Sequence, residues 1–418
     1  MHEFKFRDGD LYCENARVAD IALKVGTPFY LYSHKTLVDH YKKLKAAFNP
    51  IRPLICFSVK SNSNIAVLRA LVRAGAGLDI VSGGELYRAR LAGADAGKIV
   101  YAGVGKRDDE IRDAIRSGIF FFNVESEEEL AQIQKTAFSL KKKVNVAIRV
   151  NPDVIPKTHA YIVTGKGETK FGLDFETVHK IFNSKWRYPD LDIRGLHIHI
   201  GSQILDSSPF EKAIRKVLAF IKECKIELDY FNIGGGLGIM YSIENPQTAK
   251  AFAGKILPLL KKSGLKIILE PGRFVSGNSG VLVSKVLYTK ITPRKKFLIV
   301  DSGMSDLIRP SLYEAYHKIV PVRVFSDASE SSERVDVVGP ICESGDFIGK
   351  DRLLPRMAKG DLLAVMGAGA YGFTMSSNYN SRTRPAEVMV IDDRFYTVRK
   401  RESYADLVRG EHIPPELW

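Results

Sequence analysis

Leu54-Ile55-Cys56-Phe57-Ser58-Val59-Lys60-Ser61-Asn62 opens the regular part of the chain. Six apolar or small residues run into a lysine, and polar residues follow through Asn64. That is the pattern of a strand buried on both faces that emerges at the rim of a parallel sheet. A helix-like amphipathic stretch, Asn64–Ala74, comes directly after it. The same unit recurs: apolar runs at 77–81, 98–101, 119–124, 144–150, 194–200, 230–233 and 266–269 alternate with amphipathic segments at 85–91, 108–117, 125–140, 209–224 and 248–262. Eight such runs over about 220 residues predict an α/β fold, a (β/α)8 TIM barrel, which commonly needs ~250. An open doubly wound sheet is the alternative, and the count favours the barrel.

The chain has 418 residues, enough for a large core and two domains. Residues 33–275 form the expected barrel domain. After Arg273 the rhythm changes to apolar runs separated by turns, at 281–288, 296–300, 319–325, 334–338, 362–365 and 386–392. They predict a β-rich C-terminal domain, 276–418, joined by N-terminal strands within 1–32. Between Val150 and Arg194 lie about forty residues, a length that suits a functional lid or a surface insertion equally. Glu125-Ser126-Glu127-Glu128-Glu129 gathers carboxylates where a helix starts.

Hydrophobic residues make up 45% and charged residues 26%, an ordinary globular composition. The N-terminus, Met1-His2-Glu3-Phe4-Lys5-Phe6-Arg7-Asp8, lacks a signal-peptide pattern, and no apolar run has the length of a membrane span. A cytoplasmic protein without membrane contact is expected. The four cysteines, 13, 56, 224 and 342, are scattered and show no metal-ligand spacing, so thiols and no metal are expected. The net charge of +14 draws anions, but the basic residues are dispersed and form no nucleic-acid motif. The short basic clusters are read as solvated faces.

Catalytic groups of such a barrel sit at the carboxyl ends of its strands. Lys60 ends the first strand. A lone lysine there is usually solvated, but one sheltered by apolar neighbours becomes a nucleophilic amine. The second strand ends in Asp79-Ile80-Val81-Ser82-Gly83-Gly84, and Asp79 is a candidate cofactor-binding residue. Gly234-Gly235-Gly236-Leu237-Gly238 after the seventh strand and Glu270-Pro271-Gly272-Arg273 after the eighth stand where phosphate sites form in this fold. A glycine run alone is as readily a tight turn. In the sixth strand, Gly195-Leu196-His197-Ile198-His199-Ile200-Gly201-Ser202-Gln203, alternation turns His199 toward the mouth, where it could stack on a planar ring. His197 is taken as a core histidine. Glu270 could accept a hydrogen bond from a protonated ring nitrogen, or pair with Arg273. Lysine, phosphate loop, stacking histidine and carboxylate together specify pyridoxal 5′-phosphate held as a Schiff base.

These motifs, with Arg309-Pro310-Ser311-Leu312-Tyr313, Cys342-Glu343-Ser344-Gly345-Asp346, Gly367-Ala368-Gly369-Ala370-Tyr371-Gly372, Thr164-Gly165 and Lys170-Phe171-Gly172, resemble the fold-type III pyridoxal-phosphate decarboxylases, and most of all the diaminopimelate decarboxylase family. The resemblance covers essentially the whole chain in order. It implies an alanine-racemase-like two-domain architecture and conversion of meso-2,6-diaminopimelate to L-lysine and carbon dioxide, the last step of lysine biosynthesis. It implies that Lys60 carries the cofactor and that His199 stacks on its ring. Ser202, Gly235, Gly236, Gly272, Arg273 and Tyr371 would hold the phosphate. Arg273, Arg309, Tyr313 and Tyr371 would contact the substrate, and Glu343 its far amino group. Cys342 would be a proton donor reaching into the partner's site of a homodimer with shared active sites. The chain departs from the family at Val163, where serine is common, and at Glu168-Thr169. Relatives acting on ornithine, arginine or carboxynorspermidine, an amino-acid racemase and a non-catalytic cofactor carrier are the competing readings. Arg309, Glu270 and the second domain, respectively, argue against them.

Overall fold

A computed structural model of the chain describes residues 2–155, 169–324 and 332–418, and the counts and absences below refer to those residues. The chain divides into two compact units, Leu37–Gly277 and Met1–Thr36 with Asn278–Trp418. The N-terminal strands belong to the latter. Strands β1 (Phe4–Arg7), β2 (Asp10–Cys13) and β3 (Ala16–Arg17) form a small antiparallel sheet, and β4 (Phe29–Ser33) follows a helix at Val18–Val25.

In the Leu37–Gly277 unit, β5 (Leu54–Ser58), β6 (Gly77–Ile80), β7 (Ile99–Tyr101), β8 (Phe121–Val124), β9 (Val144–Arg149), β10 (Leu191–His197), β11 (Tyr230–Asn232) and β12 (Lys266–Leu269) close into a parallel barrel. β12 pairs with β5 and β10 with β9, so no edge is left open. The open-sheet alternative is thereby excluded. Helices follow the strands at Ile65–Arg73, Gly83–Leu91, Asp108–Ser117, Glu127–Leu140, Phe175–Asn183, Ser208–Glu223 and Ala249–Ser263. Several start where the sequence offers an oxygen to an unpaired N–H: Asn64 accepts from Ala66, Ser82 from Glu85, Ser126 from Glu129 and Thr248 from Ala251.

The helix at Phe175–Asn183 lies inside the connection read as one long loop. Asp174 caps it, accepting from Thr177 N, and Val178, Ile181 and Phe182 supply its buried stripe. It completes the fifth strand-helix unit. Residues 156–168 of that connection, with Thr164-Gly165 and the departures at Val163 and Glu168, lie outside the described residues, as does part of the run at 319–325.

Strand periodicity polarises the barrel interior. Cys56, Val100, Phe121, Ala147 and Ile268 form an apolar plug, with Leu54, Phe120 and Tyr230 packed against it. Two residues beyond Cys56, Phe121, Tyr230 and Ile268 come Ser58, Asn123, Asn232 and Glu270, and Asp79 of β6 stands in register with Ser58, each almost wholly buried. The plug closes one end and leaves a polar layer at the other.

The other unit is built on β13 (Gly280–Ile291), β14 (Lys296–Val300), β15 (Ile319–Pro321), β16 (Ser332–Val338), β17 (Phe347–Pro355), β18 (Leu362–Val365), β19 (Ala386–Ile391) and β20 (Arg394–Arg399). Their order is β17-β16-β14-β13-β4-β19-β20, and β18 pairs with both β13 and β15. Phe29, Leu31, Val281, Val283, Ala364, Val388 and Val390 form part of its core. Among the described residues no helix is long and apolar enough to cross a membrane, and no cluster of side chains could hold a metal ion.

Candidate active site

Lys60 sits in a single helical turn, Val59–Ser61, immediately after β5. Its Nζ lies 3.2 Å from Asp79 Oδ2, the lysine half-buried and the aspartate fully so. Ser58 Oγ donates to the same carboxylate oxygen at 2.7 Å, with the Glu270 main-chain oxygen 3.0 Å away. Asp79 Oδ1 is buried without a partner among the described residues. A second buried lysine, Lys106, is committed: its Nζ donates to Glu129 at 2.6 Å, to Gly103 O at 2.8 Å and to Asn123 O at 2.9 Å. Lys60 is the lysine that reaches the mouth.

Burial pushes the Asp79 carboxyl from 3.8 up to about 6; the Glu270 charge pushes the same way, and Lys60 and Ser58 oppose it. The folded chain therefore binds this proton more tightly than the unfolded chain, and stability falls as pH rises from about 4 to about 6. Measured against Asp79→Asn, the wild type should lose unfolding free energy across that window. Urea denaturation of both cofactor-free proteins at about pH 4 and about pH 6 checks it. An unchanged difference between the two proteins would contradict it.

Glu270 follows β12 inside the barrel. Asn123 Nδ2 and Asn232 Nδ2 donate to its Oε1 at 2.8 and 2.6 Å, and His197 Nε2 lies 3.2 Å from its Oε2. Burial opposes ionisation, but His197, Lys60 and Asn232 outweigh it and hold the carboxyl below the usual range. The salt bridge to Arg273 considered from sequence gives way to this cradle. Arg273 donates instead to Ser202 Oγ at 3.2 and 3.3 Å and to Tyr241 Oη at 2.7 Å.

β10 ends at His197, so His199 lies two residues beyond the strand and the alternation reading does not place it. His197 is 1% exposed inside the barrel. The N–H of Gly235 donates to His199 Nδ1 at 3.2 Å. Burial, reinforced by Lys60 and Arg149, pushes the His199 pKa well below the ordinary imidazole value, so its ring is neutral.

Gly234 and Gly236 adopt positive φ, 69° and 120°. A Cβ on Gly235 would stand 2.0 Å from the Glu270 carbonyl oxygen, and one on Gly236 2.5 Å from that of Gly201. Only glycine lets the three chain segments after β10, β11 and β12 approach so closely. Gly272 lies against Ser58 and Ser61. Gln203 binds Ile239 N and O through its side chain and joins two of these segments.

Glu125, read as a helix-start charge, turns away from the helix. It accepts from Arg149 Nη1 at 2.6 Å and from Gly172 N at 3.0 Å, which pins Phe171-Gly172 at the end of the long connection.

Arg309, Tyr313, Cys342, Glu343 and Tyr371 belong to the other unit. Arg309 starts a short helix, Arg309–Tyr313, and is buried. Cys342 is an exposed thiol whose N–H donates to Asn380 Oδ1. Glu343 hydrogen-bonds Tyr379 and raises its pKa. Tyr371 holds positive φ of 56°, unusual for a bulky residue.

Ser58, Asn123, Asn232 and Tyr241 were missed as site residues. The asparagines had a signal: each is the one polar residue near the end of an apolar run, Phe121-Phe122-Asn123-Val124 and Tyr230-Phe231-Asn232-Ile233.

The barrel fits pyridoxal phosphate. Lys60 supplies the amine, the glycine segments with Ser202 and Arg273 suit a phosphate, His199 offers a neutral ring, and Glu270 offers a fixed anion. The unpartnered, buried Asp79 oxygen is a further polar atom of this layer, beside Lys60.

Residues 34–277 match the family described as "Pyridoxal-dependent decarboxylase, pyridoxal binding domain". A diaminopimelate decarboxylase from Aquifex aeolicus is 46% identical, the match covering 97% of this chain and 96% of that protein. One from Vibrio cholerae is 45% identical over the full length of both. The crystal structure of the M. jannaschii diaminopimelate decarboxylase in co-complex with L-lysine superposes with a TM-score of 0.94, at 38% identity and full coverage of both chains. Lysine, carboxylate cradle and glycine segments thus stand in a chain that is alike from end to end, and it belongs to the diaminopimelate decarboxylase family of pyridoxal-phosphate-dependent enzymes.

Proposed function

We infer that the protein decarboxylates meso-2,6-diaminopimelate to L-lysine and carbon dioxide. The observation that carries this is the Glu270 carboxylate, kept anionic by three surrounding side chains in the barrel whose first strand delivers Lys60. Bound pyridoxal phosphate supplies an electron sink for the pair left behind when the carboxyl group departs. Glu270 would keep a proton on the ring nitrogen. Lys60 would hold the cofactor and move protons at the reacting carbon, with Asp79 beside it as partner for its ammonium form. His199, being neutral, can lie against a cationic ring without repulsion. Ser202, Gly235, Gly236, Gly272 and Arg273 would hold the phosphate, joined by Tyr371.

Arg309 and Tyr313 would take the carboxylate at the far end of the substrate, and Glu343 the amino group beside it. A guanidinium suits that carboxylate and is unsuited to a purely cationic tail. Cys342 would donate a proton to the site of the partner in a cytoplasmic homodimer, where its exposed thiol stays reduced. Carbon dioxide release from meso-diaminopimelate, L-ornithine, L-arginine and carboxynorspermidine tests the reading. Turnover confined to one of the last three would replace it.

Arg309→Leu should lower kcat/KM for diaminopimelate by about ten- to a hundredfold, since a hydrogen bond to a charged group is worth ~1.5–3 kcal/mol. An unchanged specificity constant would remove Arg309 from the substrate site.

A further inference from the structure

His317 is fully buried and lies between two partners with opposite demands. Its Nδ1 is 2.8 Å from the main-chain oxygen of Met366, and its Nε2 is 2.9 Å from Arg309 Nη1. A carbonyl oxygen only accepts, so Nδ1 carries the proton. A guanidinium only donates, so Nε2 must be the bare nitrogen. The two contacts together leave one state, a neutral imidazole in a single tautomer.

The sheet sets this arrangement. Ile319 of β15 pairs with Val365 of β18, and the N–H of Met366 donates to Lys318 O at 2.8 Å. Met366 O is therefore held beside His317 by strand register. Glu314, at φ 51°, ends the Arg309–Tyr313 helix, and the chain returns to β15 through 315–318. Arg309 and His317 are brought together across that turn.

We propose that His317 is a positioning residue for substrate recognition: its bare Nε2 anchors one arm of the Arg309 guanidinium and so aims the other at the far carboxylate of the substrate. This rests on the role given to Arg309 above. A long, flexible side chain left to itself samples many rotamers, and a fixed acceptor removes that freedom before the ligand arrives.

The test compares two ligands of the cofactor-loaded enzyme that differ by one carboxylate, L-lysine and 1,5-diaminopentane, by titration calorimetry. Wild type should prefer L-lysine, and Arg309→Leu should abolish the preference. If wild type binds the two alike, the assignment of Arg309 fails, and the failure is distinct from that of His317. In His317→Asn the shorter amide can still donate to Met366 O but does not reach Arg309, so the preference should fall about tenfold, the size expected for a charged-group hydrogen bond. His317→Gln, whose amide oxygen reaches the place of Nε2, should restore most of it. KM for diaminopimelate should rise in the Asn variant more than kcat falls. A His317→Asn enzyme that keeps the wild-type ratio, or that loses affinity for both ligands in step, overturns the proposal. The second outcome is that of a merely structural histidine.

Discussion

Lys60→Ala should bring decarboxylation down by at least about a thousandfold, the scale at which tethering and orienting a reacting group contributes. The barrel itself should survive. The lysine is half-buried and pairs with Asp79, and it is no member of the barrel's apolar plug. It does leave Asp79 buried with only Ser58 as a donor, and that carboxyl should then hold its proton to higher pH, because Lys60 opposes the upward effect of burial. Cofactor should still associate through its phosphate but should no longer be fixed to protein by borohydride. In wild type, reduction and peptide mapping should place the label on Lys60. Label on Lys106 or any other lysine would overturn the assignment, and Lys106 is the informative control because three acceptors already hold its ammonium.

Glu270→Gln should keep the cofactor bound and lower kcat by about a hundred- to a thousandfold, the usual scale for removing one preorganised electrostatic contact. An amide can preserve the hydrogen bonds: its oxygen can accept from Asn123 and Asn232, and its NH2 can donate to His197 if that ring changes tautomer. What it cannot supply is the negative charge that keeps a ring nitrogen protonated. The loss should therefore fall on kcat rather than on KM. Absorbance titration of cofactor and steady-state kinetics separate the two effects, and near-normal turnover would give Glu270 another task.

The barrel was readable because strands covered on both faces must be apolar almost throughout, and each run from 54–59 to 266–269 contains an observed strand or most of one. Elements with an exposed face were harder. β20, Arg394-Phe395-Tyr396-Thr397-Val398-Arg399, is an edge strand with charges at both ends, and β17 pairs through bulges around Gly349-Lys350-Asp351-Arg352. Neither shows clean alternation. Lys60 and Glu270 stood out because a charge in an apolar run needs a reason. Asn123 and Asn232 did not, since asparagine is ordinary where strands end. Glu125 was misjudged for a physical cause: its sequence neighbours are helical carboxylates, and its true partner, Arg149, is one strand away in space. His317 and Tyr241 lie outside regular elements, where periodicity carries no information.

Asn232 deserves a different kind of reading, as a reporter of sign. Its Nδ2 donates to Glu270, and its Oδ1 accepts from the N–H of Gly234, the first residue of the glycine run. An amide cannot offer the same edge to a cation without turning over, and turning over would withdraw the acceptor from Gly234. Reversing the charge at position 270 would thus unfasten the backbone proposed to hold the phosphate. On that proposal, electronic control of the ring and grip on its phosphate meet at one side chain. Evolution toward a cation at position 270 would have to change residue 232 with it, because the amide edge that serves an anion does not serve a cation.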